Sequence, residues 1–178
     1  VSDFVYGVVT PKILTMVQQL AQKYKLMLFG DLQCSSQVGS VTRFKHFSLL
    51  CPNEREARLA LQDKESGLEN ISQQLLQKTH CERMVMKLGS EGFIAYDRDQ
   101  NKNISSQAFP ALSVNPLDVT GAGDSLLAVM ASGLASGQAM MPTAALACCM
   151  SNLAVTTMGN TPISATKLRS CLMEVLKD

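Results

Sequence analysis

Apolar and polar positions along this chain switch between two rhythms. Ile13, Leu14, Met16, Val17, Leu20, Ala21 and Tyr24 recur at helical spacing behind Thr10-Pro11, a capping residue followed by a first-turn proline. Lys25 leads into Leu26-Met27-Leu28-Phe29, a continuous apolar run ending at Gly30-Asp31. Such a run predicts a strand buried on both faces, as in parallel sheets. Gln33 to Lys45 is polar and reads as loop. A second apolar run, His46 to Cys51, stops at Pro52; Asn53-Glu54-Arg55-Glu56 then opens a short helix carrying Ala57, Leu59, Ala60 and Leu61. After a turn at Asp63 to Gly67, Leu68, Ile71, Leu75 and Leu76 mark an amphipathic helix ending near His80. Arg83 to Leu88, Phe93 to Tyr96 and Ile104 to Phe109 predict three more strands, the first two joined by Gly89-Ser90-Glu91-Gly92.

The carboxyl-terminal third changes character. Leu126 to Leu134 predicts a helix ending around Ser136-Gly137. Pro142 to Met158 is apolar nearly all round, which predicts a buried helix, broken at Gly159-Asn160-Thr161-Pro162. Leu168, Cys171, Leu172, Val175 and Leu176 give a last amphipathic helix. Helices alternating with strands, then a helix-rich end, predict an α/β sheet covered on both faces. In such sheets ligands sit at the carboxyl ends of the strands. Asp31, residues 53–56, 87–92 and 118–124 all fall there, so four loops can build one site.

Composition narrows the partners more than it defines them. With 178 residues, 46% of them apolar, the chain is long enough for one domain, residues 1–178, with a substantial core. Its 16 basic and 15 acidic residues nearly cancel, which argues against nucleic acid or a membrane surface as the main partner. Six cysteines, at 34, 51, 81, 148, 149 and 171, form no C-x-x-C pair, and His46 and His80 stand at no zinc spacing. The expectation is a reduced, cytoplasmic protein without signal peptide or membrane span. The chain begins at Val1, which points to a fragment of something longer.

Chemistry concentrates in Asp118-Val119-Thr120-Gly121-Ala122-Gly123-Asp124-Ser125. Glycines allow close approach of a ligand to the main chain. A helix starting there would point unpaired N–H groups at an anion. Asp124 beside that seat could take a proton from an attacking hydroxyl. The plainer alternative is a glycine-rich loop in which Asp124 merely favours the helix dipole.

Together and in this order, these motifs resemble the carboxyl-terminal part of a ribokinase-like (PfkB) sugar kinase. The family's D-[TV]-x-G-A-G-D signature stands in full as Asp118 to Asp124, N-x-x-E as Asn53 and Glu56, and x-L-G-x-x-G as Lys87 to Gly92. Tyr6-Gly7-Val8 and Pro52-Asn53 are most similar to the heptose-7-phosphate kinase branch. The resemblance implies a three-layer α/β/α fold and ATP-dependent phosphorylation of a sugar or sugar-phosphate hydroxyl. Asp124 would be the base, and the backbone N–H groups of Gly121, Ala122 and Gly123 the anion hole. Asn53 and Glu56 would organise Mg²⁺ through water. Lys87, Gly89 and Gly92 would line ATP, with Cys148 at a position flanking the adenine. Asp118 and the carbonyls of Thr120, Ala154, Thr157 and Gly159 match a monovalent-cation site, so K⁺ is a further candidate. Asp31 matches an acid that ends a family strand, but Leu32 replaces the usual proline.

The family carries a long segment before the equivalent of Val1 that holds most sugar contacts and the lid, and the amino-terminal part and lid are absent here. The resemblance therefore leaves two readings: the ATP side of a kinase, with a homodimer as one assembly, or a truncated non-catalytic nucleotide-binding or interaction module.

Overall fold

A computed structural model describes residues 1–33, 40–113, 116–159 and 161–177. Six strands form one sheet in sequence order: β1 (Ser2–Asp3), β2 (Phe29–Leu32), β3 (Leu49–Leu50), β4 (Arg83–Lys87), β5 (Phe93–Arg98) and β6 (Ile104–Phe109). The first four run parallel; β5 and β6 complete the sheet as antiparallel hairpins. The helices are α1 (Pro11–Tyr24), α2 (Glu54–Leu61), α3 (Leu68–Thr79), α4 (Ala122–Ala135), α5 (Met140–Val155) and α6 (Ala165–Val175).

The period-two rule of strands divides the core into two halves. Leu50, Met84, Met86 and Tyr96 point to one face and pack with Leu14 of α1, Ala57 of α2 and Ile71, Leu75 and Leu76 of α3. Leu49, Cys51, Val85, Phe93 and Ala95 point to the other and pack with Leu126, Val129, Met130 and Leu134 of α4 and Met140, Ala144 and Ala147 of α5. The sheet is thus covered on both faces, giving the expected three layers. Parallel neighbours cannot be joined by a short turn and need a long crossover, which is why α1 and the α2–α3 pair lie between successive strands.

Several boundaries differ from the sequence reading. The strand expected over 26–29 lies at Phe29–Leu32, because Lys25 ends α1 in the left-handed conformation and leaves Leu26 exposed. Gly30 and Asp31 are therefore inside the sheet rather than after it. Of the run 46–51 only Leu49–Leu50 pairs as strand. The buried helix starts at Met140, two residues before Pro142, so that proline occupies its first turn where no backbone donor is needed. Strand β1 carried no sequence signal, since two residues cannot display a period. The loop expected over 33–45 lies in part, at 34–39, outside the described residues, as does Asn160 of the expected helix break.

Capping explains two helix starts. Thr10 accepts a hydrogen bond from the Ile13 N–H at 3.2 Å and Pro11 follows it. At α2, Asn53 Oδ1 accepts from the Glu56 N–H and Glu56 Oε2 accepts from the Asn53 N–H, both at 2.8 Å. That reciprocal pair is a capping box. Among the described residues no helix is long and apolar enough to cross a membrane.

Candidate active site

Four elements meet at the carboxyl ends of the parallel strands. Asp31 comes from β2, Asn53 follows β3, Lys87 ends β4, and α4 arrives from the opposite face of the sheet with its amino terminus at Ala122. A parallel bridge between Asn53 and Lys87 extends the sheet past β3, and the Lys87 N–H donates to the Pro52 carbonyl at 2.8 Å. The N-x-x-E helix start and Lys87 are thereby fixed against each other by backbone.

The glycine signature forms the turn it was expected to form. Gly121 is the residue before α4 and has φ +76°, a left-handed conformation that glycine adopts without strain. Ala122, Gly123 and Asp124 are the first three helical residues, and no side chain caps them. The Ser125 N–H is the first to find a helical carbonyl, that of Gly121 at 2.9 Å. The Ala122 N–H instead turns back to the Val119 carbonyl at 3.3 Å. Gly123 and Asp124 have no intrahelical acceptor, because the residues four before them precede the helix. Unpaired N–H groups at the positive end of a helix dipole form a seat of the kind anions occupy. Asp124 is exposed, and the Ser2 hydroxyl donates to its Oδ1 at 3.3 Å, so the edge strand β1 reaches the same site.

A buried ion pair stands directly under this seat. Lys87 Nζ lies 2.7 Å from Asp31 Oδ1, with side chains 18% and 0% exposed. A side chain added at Gly123 would place its first carbon 3.5 Å from both Asp31 Oδ2 and Lys87 Nζ and 4.0 Å from Gln33 Nε2. Burial pulls the Lys87 ammonium toward neutrality, but the charge and hydrogen bond of Asp31, with Cys51 and Glu56 beyond, raise its pKa above the ordinary lysine value. Lys87 also lines an open groove of about 1260 Å³ with Asn53, Leu88, Gly89, Arg55 and Arg58. It therefore stands between that groove and the start of α4.

Gly89 and Gly92 both adopt positive φ, and Gly92 faces backbone rather than open space. The Phe109 carbonyl oxygen would lie 2.1 Å from an added side-chain carbon there. Cys148 is buried, and its thiol donates to the Pro110 carbonyl at 3.3 Å, on the same strand exit that Gly92 abuts. Burial raises that thiol's pKa. Cys148 and Gly92 both pack against the exit of β6.

Asp118 ties two segments together. Its Oδ1 accepts from the Thr120 N–H at 2.9 Å and its Oδ2 from the Gly159 N–H at 3.3 Å. These backbone donors, Thr120 first, hold its carboxyl below the ordinary aspartate range. Thr120, Ala154 and Gly159 line one cavity of about 250 Å³ with Ser125, Met150 and Thr161. The Thr157 hydroxyl donates to the Leu153 carbonyl at 2.7 Å nearby. Asp118 and Thr157 are not among the residues lining that cavity, and both Asp118 oxygens are engaged by backbone N–H groups. Among the described residues no group of three His, Cys, Asp or Glu side chains could hold a metal. For Mg²⁺ the relevant observation is that Glu56 is 3% exposed with Oε2 engaged by the Asn53 N–H. Magnesium keeps much of its hydration, so a carboxylate placed like this would reach it only through a water.

Sequence reasoning brought Asp124, Gly121–Gly123, Asn53, Glu56 and Lys87 to one edge. It missed Ser2, and it placed Asp31 at the same edge but not as the partner of Lys87. No local pattern links residues 56 positions apart.

Comparison with known proteins adds the family. The sequence model described as pfkB family carbohydrate kinase matches residues 1–167. Bifunctional protein HldE of Geobacter metallireducens is 29% identical over 168 residues, 92% of this chain and 32% of that protein. HldE of Geobacter sulfurreducens is 30% identical over 173 residues, covering 94% and 33%. Among solved structures, phosphofructokinase-2 from Escherichia coli in complex with substrates and products superposes with a TM-score of 0.80 at 17% identity, covering 98% of this chain and 55% of that one. Arabidopsis thaliana ribokinase complexed with ribose and ATP gives 0.69 at 24%, covering 95% and 53%. The chain thus spans about a third of the curated relatives' length and about half of the solved ones.

Proposed function

This chain belongs to the pfkB family of carbohydrate kinases, and we propose that it carries the ATP side and the catalytic base of a sugar or sugar-phosphate kinase. The observation that carries the reading is the start of α4: an uncapped helix terminus preceded by the turn at Gly121, with Asp124 at its third residue and Lys87 beneath it. Phosphoryl transfer asks a protein mainly for positioning and charge stabilisation. The N–H groups of Gly121 and Gly123, joined by that of Ala122 once it leaves the Val119 carbonyl, receive the transferring phosphoryl oxygens, donors typically worth on the order of 3 kcal/mol each in a transition state. Asp124 takes the proton of the substrate hydroxyl as its oxygen bonds to the γ-phosphorus and the bond to the ADP oxygen breaks; the proton later leaves to solvent. Lys87 and Gly89 line the phosphates, and Asn53 with Glu56 orients the waters of Mg²⁺, which neutralises charge on them. Asp118 with Thr120, Ala154, Thr157 and Gly159 would hold K⁺ beside the turn. To the same reading belong a cytoplasmic location and a homodimeric assembly.

Calorimetric titration with ATP and Mg²⁺, followed by a coupled ADP-release assay over a panel of sugars and sugar phosphates, tests it. Binding with transfer to one of them is the expected result. Binding without any transfer favours the non-catalytic nucleotide-binding module, and absence of ATP binding removes both.

A further inference from the structure

The proposed reaction leaves Asp31 without a task, yet this residue is the most conspicuous polar group in the interior. It is 1% exposed, and among the described residues its Oδ2 has no hydrogen-bond partner. Oδ1 is held by Lys87, and Oδ2 lies 3.5 Å from the point where a side chain of Gly123 would begin. A buried carboxylate with an idle oxygen is costly. A strand residue that served packing alone would be apolar, as Leu32 and Leu50 are.

Resting on the kinase reading, we propose that Asp31 is a positioning residue: its carboxylate holds the Lys87 ammonium against the start of α4, where the lysine takes a phosphoryl oxygen of the nucleotide. An ammonium has three donors. One goes to Asp31 Oδ1, and the others remain for an anion seated at Gly123. A lysine this buried would shed its proton without a compensating acid. The titratable groups facing it are Asp31 from β2, the Cys51 thiol beyond β3 and Glu56 of α2. Asp31 is the strongest of the three, being in direct contact. The pair also explains Gly123: without a side chain, the space above both charges stays open to ligand.

Lysine ¹³C-labelled protein titrated by NMR reads the first half. In the wild type Lys87 loses its proton above the ordinary lysine value; in Asp31→Asn it does so below it. Identical titration in the two overturns the proposal. Calorimetry with inorganic tripolyphosphate reads the second half. Lys87→Met should weaken binding by roughly 10-fold or more, as for a lost charge-assisted contact. Between about pH 7 and about pH 9.5, Asp31→Asn should lose affinity relative to the wild type as its lysine neutralises, and Asp31→Glu should restore the wild-type profile. A merely structural Asp31 would lower affinity equally at both pH values, and that result overturns the proposal. So does unchanged tripolyphosphate affinity in Lys87→Met, even if sugar phosphorylation is observed. Conversely, Lys87-dependent tripolyphosphate binding with no transfer to any sugar counts against the kinase reading alone.

Discussion

Replacing Gly92 by alanine separates a packing role from a ligand role at the nucleotide loop. Gly92 has φ +95° and ψ −128°, a region essentially closed to side chains. The added carbon would meet the Phe109 carbonyl oxygen at 2.1 Å, the Ala111 nitrogen at 2.6 Å and the Pro110 carbonyl carbon at 2.8 Å. All three are backbone atoms, so no rotamer change relieves them. Backbone strain of this kind costs about 1–3 kcal/mol, and overpacking against an unyielding wall typically another 1–3 kcal/mol. The sum, about 2–6 kcal/mol, is a large share of the stability of a domain this size. The strand exit that must move also carries Phe109, whose ring stacks on Phe93 at 5.2 Å, and the Pro110 carbonyl that accepts from Cys148. The clash therefore spreads from β6 into α5. Urea unfolding followed by circular dichroism measures it. A loss below about 1 kcal/mol would refute the packing argument, and normal stability with lost ATP binding would return Gly92 to the ligand.

Asp124→Asn should lower kcat by roughly 10²–10⁴, the range for a lost general base, with ATP affinity retained; near-normal turnover in the ADP-release assay would sink the base assignment. Asn53→Ala removes the acceptor for the Glu56 N–H and should cost about 1 kcal/mol in urea unfolding; an unchanged midpoint would contradict the capping box. Asp118 has a lowered folded pKa, so its tether is fully present above the ordinary value of 3.8 and is lost as pH falls through the lowered one. NMR should show the Thr120 and Gly159 amides shifting together only below about pH 3.8, and a titration above that value would refute the tether.

What was legible in the sequence follows the range over which each signal acts. Helices α1, α2 and α3 announced themselves through caps and spacing because those are local. The two-faced sheet was legible through continuous apolar runs. The ends of the runs misled, since an apolar residue can lie in a connection: Leu26 and Met27 are apolar and substantially exposed, while polar Asp31 is buried in the strand. The glycine signature was legible as a turn because Gly121 needs its conformation for a local reason. The ion pair was not, because Asp31 and Lys87 meet only once β2 and β4 lie in one sheet with β3 between them. Ser2 reaches Asp124 across 122 positions for the same reason.

The N-x-x-E motif shows how one pair of residues can answer a structural and a chemical demand together. As a capping box, Asn53 and Glu56 need each other and nothing more. A glutamate with only that duty sits at the surface, where its charge is solvated. Glu56 is instead 3% exposed, and its charge acts on Lys87. Asp31 and Glu56 are thus two buried acids whose charges both act on Lys87 beside the start of α4. The capping box and the sheet, fixed by local geometry, thereby also set two of the charges that keep the Lys87 ammonium beside that helix start.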